Sequence, residues 1–121
     1  MIFAINEKDY TKYLQDDSYN VVQVDIGDSW TDANFKKHSN HVLKIQGSFE
    51  MAFVSDEEYS TFLYDVESSK NSEGYVVCEL HILNLNITKQ IDCFMDISSS
   101  KFRPVNGDKV VNIISININE A

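Results

Sequence analysis

Apolar and polar positions alternate with two periods along the chain, and the switch between them divides it into elements. Residues 1–5 form a short apolar run that reads as a strand. Asn6 is an N-cap for a helix over about 7–16, with Tyr10, Tyr13 and Leu14 at helical spacing. Val22, Val24 and Ile26 alternate and predict a strand that ends at Gly27. Residues 28–40 are polar, with Trp30 and Phe35 as apolar islands, and read as a loop or an irregular short helix. Residues 42–46 and 49–54 predict a hairpin across Gly47, with Leu43 and Ile45 facing Phe49, Met51 and Phe53.

The clearest helix follows. Ser55 is an N-cap and Glu58 completes a capping box. Asp56 and Glu57 favour the positive end of the helix dipole. Tyr59, Phe62, Leu63 and Val66 then recur at i, i+3, i+4, i+7. The last third is β-rich. Val76, Cys78, Leu80 and Ile82 alternate in one strand, and Ile91, Cys93, Met95 and Ile97 in the next, with Lys89-Gln90 in the turn region between. Residues 101–105 read as a short edge strand because of Pro104. Asn106-Gly107 is a type I′ turn pair, and 110–118 closes the sheet with Ile114, Ile116 and Ile118 on one face. Short turns between consecutive strands imply antiparallel pairing. The expected fold is a single α+β domain over 1–121. It is a mostly antiparallel, strongly bent sheet of six or seven strands with one or two helices packed on it. A half-open barrel is the alternative.

Composition narrows the function classes. Nineteen acidic residues against ten basic ones give a formal net charge of -9. Residues 1–67 carry net -8 of this and residues 68–121 net -1. Such a chain repels nucleic-acid phosphates and anionic membranes, and a basic protein surface attracts it. The longest apolar run, 1–5, is far short of a spanning helix, and no basic segment precedes it as in a secretory signal. The expected location is cytoplasmic, where Cys78 and Cys93 are free, buried thiols.

The stretch Gly27-Asp28-Ser29-Trp30-Thr31-Asp32-Ala33 resembles the first block of GDSL-type esterases, which would make Ser29 a nucleophile. That family has an Asp-x-x-His pair late in its chain. Here His38, His41 and His81 are the only histidines, none with Asp three before it, and Trp30 stands where the family has Leu. The hydrolase reading is therefore set aside, and no catalytic residue is expected. Metal sites are not expected either. His38-x-x-His41 lacks a neighbouring Cys or carboxylate at standard spacing, and Cys78 and His81 point to opposite faces of a strand. Asp25, Asp28 and Asp32 lack the calcium-loop pattern. Four scattered glycines make no phosphate loop, so no cofactor is expected. Asn86-Ile87-Thr88 fits a glycosylation sequon that a cytoplasmic chain does not use, and Lys101, Arg103 and Lys109 read as a solvated hairpin edge.

Two interaction candidates remain. One is Asp25, Asp28, Trp30 and Asp32, an acidic loop around the only tryptophan, which either anchors a partner or closes one end of the core. The other is the helix with Asp56, Glu57, Glu58, Asp65 and Glu67, which has no Lys or Arg between 55 and 67. In size, acidity and lack of a catalytic constellation the chain resembles small bacterial immunity proteins of contact-dependent or secreted toxin systems. That resemblance implies a basic protein partner, a cognate toxin or nuclease domain, whose cleft these acids would occlude; a phage-encoded inhibitor of the anti-CRISPR kind is a sibling of the same idea. The alternatives are a small hydrolase using Ser29 or a structural module of phage or secretion machinery.

Overall fold

The structure is a computed structural model. It describes the backbone of residues 1–105 and 109–121, and the side chains of these except 39 and 99–112. The expected Asn106-Gly107 turn lies outside the described residues, as do the side chains of Lys101, Arg103 and Lys109.

The fold is α+β, built on a mostly antiparallel sheet of seven strands. In chain order the strands are β1 (Phe3–Ile5), β2 (Lys8–Asp9), β3 (Asn20–Asp25), β4 (Ser29–Thr31), β5 (Lys37–Ser39), β6 (Leu43–Phe53), β7 (Val76–Ile82), β8 (Ile87–Val105) and β9 (Lys109–Glu120). Among the described residues one α-helix, α1 (Asp56–Ser68), joins β6 to β7. The sheet order is β2-β1-β7-β8-β9-β6-β3, and β4 and β5 form a separate two-stranded ribbon. The sheet is open and not strongly curled, so the expected strong bend is corrected.

The core lies on one face of the sheet. β6 contributes Ile45, Phe49, Met51 and Phe53, and β9 contributes Ile114, Ile116 and Ile118. Their registers, Phe49↔Ile116 and Met51↔Ile114, place them side by side. From β7 come Val76, Cys78, Leu80 and Ile82, all buried, as the alternation predicts. Helix α1 covers this face with Phe62 and Val66, while Leu63 stays partly exposed. Ser55 caps it, its hydroxyl accepting from the N–H groups of Glu57 and Glu58. Aromatic rings tie the layers together: Phe3 to Phe49 at 5.0 Å, Tyr10 to Phe62 at 5.1 Å and Phe53 to Phe62 at 5.4 Å between centroids.

Several sequence expectations are corrected. There is no helix over 7–16. Asn6 and Glu7 both have positive φ (51° and 65°) and form the two-residue turn between Ile5 and Lys8, which start the β1–β2 hairpin. A 3-10 turn at Thr11–Tyr13 follows. Tyr10 and Tyr13 reach the core from this irregular segment, Tyr13 stacking on Phe53 at 4.7 Å.

Gly47 is not a turn either; Leu43–Phe53 is one strand. A Cβ at Gly47 would sit 2.1 Å from the Asn20 carbonyl oxygen and 2.5 Å from Val21 Cα, so glycine there permits the close approach of β3. On β3 the buried residue is Val21, whereas Val22 and Val24 are half-buried and Ile26 is exposed. The β7–β8 turn lies at 83–86 rather than at Lys89-Gln90, which pair with Leu80 and Glu79. Asn86 supplies its positive φ of 51°. The 101–105 segment is no separate strand but the end of β8, continuous past a register shift between Ser98 and Lys101.

Candidate functional site: a projecting ribbon

Residues 28–40, expected as a loop or an irregular short helix, form a paired β-ribbon instead. The β3–β6 ladder runs from Asn20↔Ser48 to Asp25↔Leu43. Hydrogen bonds from Ile26 N to Val42 O and from Asn40 N to Asp28 O carry it into the β4–β5 pairs, Ser29↔Ser39, Trp30↔His38 and Thr31↔Lys37. Asp32 N to Lys36 O closes it. In every one of these pairs the two residue numbers add to 68, so no bulge interrupts the ribbon. Gly27 makes its neck possible, because a Cβ there would collide with the Asn40 carbonyl oxygen.

Alternation sorts the side chains. Asp28, Trp30 and Asp32 share one face with His38, and Asp25 lies on the other with His41. The ribbon thus brings together three of the four residues singled out by sequence. Asp25 Oδ2 accepts from His41 Nδ1 (2.6 Å), and its Oδ1 accepts from Gly27 N (2.9 Å) and Val42 N (3.2 Å). Asp32 Oδ2 accepts from His38 Nε2 (2.7 Å), and its Oδ1 accepts from Asn34 N (2.8 Å) and Lys36 N (3.0 Å). Both carboxyls are held below the ordinary carboxylate range, first by the histidine and then by the backbone N–H groups. Each is therefore a fixed charge that also shapes the ribbon.

Trp30 does not close the core. It is 53% exposed and stacks on His38, 5.6 Å between ring centroids at 20°. At the tip, Asp32 O accepts from Phe35 N (3.1 Å), and Phe35 has φ of 62° and is 90% exposed. Sequence reading passed over Phe35, His38 and His41 as working parts. The available signal was Asp32-Ala33-Asn34, an Asx turn set between Trp30-Thr31 and Lys37-His38.

The helix acids are not part of this ribbon. Asp56, Glu57 and Glu58 follow the far end of β6, about 33 Å of extended chain from Leu43. Asp65 accepts the Tyr10 hydroxyl, and Glu67 pairs with Lys70 at 2.9 Å, so the last turn is engaged within the fold. Burial, and then the Asp65 carboxylate, push the Tyr10 hydroxyl pKa well up.

Among the described residues no group of three His, Cys, Asp or Glu side chains could hold a metal. Cys78 and Cys93 are free and buried, with their sulfurs 3.7 Å apart. The Cys93 thiol, and then burial, hold the Cys78 thiol far above its usual pKa. A cavity of about 540 Å³ lies beside the end of α1, lined by Asn6, Glu7, Ser68, Glu79 and Gln90 among others. Its Ser68 hydroxyl accepts from Asn6 Nδ2 (2.7 Å) and donates to the Asp65 carbonyl oxygen (3.2 Å). Among the described helices none is long and apolar enough to cross a membrane.

No family model, curated protein or solved structure matches this chain.

Proposed function

We propose that this chain is a non-catalytic cytoplasmic binding protein that neutralises a basic protein partner by occluding its cleft, as small bacterial immunity proteins do with toxin domains. One observation carries the reading. A continuous β-ribbon projects beyond the packed sheet and holds Trp30 exposed over His38 between Asp28 and Asp32. A large ring that its own fold leaves about half exposed is the kind of side chain that anchors interfaces. The acidic body supplies long-range attraction to a basic cleft.

The test uses the protein domain encoded beside this chain as probe. Replacing residues 28–40 by a two-residue turn is expected to abolish its inhibition while the sheet stays folded. Undiminished inhibition by the shortened chain would overturn the proposal.

A second reading has one observation in its favour. Asp25 orients His41, and Ser29 lies on the same ribbon face. The serine is exposed. Ester hydrolysis by the purified protein that Ser29→Ala abolishes would revive the hydrolase.

A further inference from the structure

The tip of the ribbon contains a residue that the fold does not need. The Asp32–Lys36 connection has three residues between its closing pair, and the last of them, Phe35, is left-handed. This three-residue hairpin loop accommodates glycine best at its left-handed position, with asparagine next. A phenylalanine there strains the backbone, because Cβ crowds the following carbonyl. Among the described residues, five besides glycine have positive φ: Asn6, Glu7, Asp17, Phe35 and Asn86. Phe35 alone of these is apolar.

Among the described residues, the Phe35 ring itself has no place in the core cluster that would offset the strain. Phe35 is the most exposed large apolar side chain described, at 90%. It enters none of the ring contacts that knit the core. Three hydrogen bonds to the Asp32 carboxylate nevertheless hold this turn in shape, one of them from Lys36, the next residue. The molecule thus presents an aromatic ring on a held turn, at the tip of the ribbon, in a conformation that costs stability.

We infer that Phe35 is the residue that reads the partner, inserting its ring into an apolar socket within the partner's basic cleft. This rests on the binding reading above and places its anchor at the tip rather than at Trp30 alone. Charge divides the labour. Asp25, Asp28 and Asp32 against Lys36 and Lys37 leave the ribbon at net -1, so eight of the nine net negative charges lie on the rest of the chain. Steering comes from the body, and the tip supplies an almost neutral, aromatic insertion suited to a desolvated pocket.

The experiment compares wild type with Phe35→Asn and Phe35→Gly, with the domain encoded beside this chain as probe. Phe35→Asn is expected to keep Tm or raise it by up to about 5 °C, since asparagine tolerates the left-handed turn. Its affinity for the probe is expected to fall at least about 30-fold, almost wholly through faster dissociation. A marked fall in Tm for both variants would give Phe35 a role in folding and overturn the inference. So would unchanged affinity in Phe35→Asn when removal of residues 28–40 abolishes binding; in that case the binding reading survives. If removal of 28–40 leaves binding intact, the reading itself fails. A wild-type dimer that Phe35→Asn dissolves would seat the ring in a second copy and likewise overturn the inference.

Discussion

Asp32 and Phe35 belong to one turn and act on it in opposite senses. Asp32 stabilises it through both carboxylate oxygens, whereas Phe35 strains it. The stabilising contribution depends on pH in a defined direction. The Asp25 and Asp32 carboxyls titrate below their ordinary 3.8 in the folded chain, so the stability they add is complete above the ordinary carboxylate range. It is lost as pH falls through the lowered values. Carboxyl-carbon NMR titration is expected to give midpoints below 3.8 for both residues, with faster amide exchange at Asn34 and Lys36 setting in over the same range. Midpoints at or above 3.8 would remove the role assigned to the two histidines.

At the level of elements, glycine and asparagine decide how strands meet. Gly47→Ala is expected to lower stability by about 2 kcal/mol, read as a fall in urea midpoint, because the new methyl would meet the β3 backbone at Asn20 and Val21 and force it to shift. Asn84 acts at the same edge of the sheet. Its side-chain amide donates to Gln23 O (2.8 Å) and accepts from Gln23 N (2.9 Å), standing in for a neighbouring strand along β3. Asn84→Ala should cost about 1 kcal/mol and raise self-association in sedimentation. Helix α1 and the buried strands were legible in sequence because one periodicity and one cap coincide in each. The early helix was misread because Tyr10, Tyr13 and Leu14 have helical spacing by accident of an irregular segment, while the Asn6-Glu7 turn is too short to leave a pattern. The hairpin at Gly47 was misread because close approach and chain reversal both select glycine. Of the candidate residues, Asp28, Trp30 and Asp32 were legible as a group. The histidines that hold Asp32 and Asp25, His38 and His41, were not, since diagonal neighbours across a ribbon leave no fixed spacing in sequence.

Over the whole molecule, the separation of the ribbon from the helix acids makes the two candidate surfaces independently testable. Reversing Glu57, Glu58 and Asp65 together is expected to slow association with a basic partner several-fold at low salt and to leave the dissociation rate near wild type. The Asp65 change also removes the acceptor of the Tyr10 hydroxyl, so Glu57 and Glu58 alone serve as the control. An unchanged association rate would discount the body as the source of steering. The unbroken register of the ribbon has a mechanical corollary. Its two strands are β3 and β6 prolonged, and β6 is hydrogen-bonded on its other side to β9, in the interior of the sheet. A load applied at the tip is therefore passed by β6 to β9 in shear, while β3 lies at the sheet edge and is held by its ladder to β6. Pulling at the tip would load many β6–β9 ladder bonds at once instead of opening them one at a time.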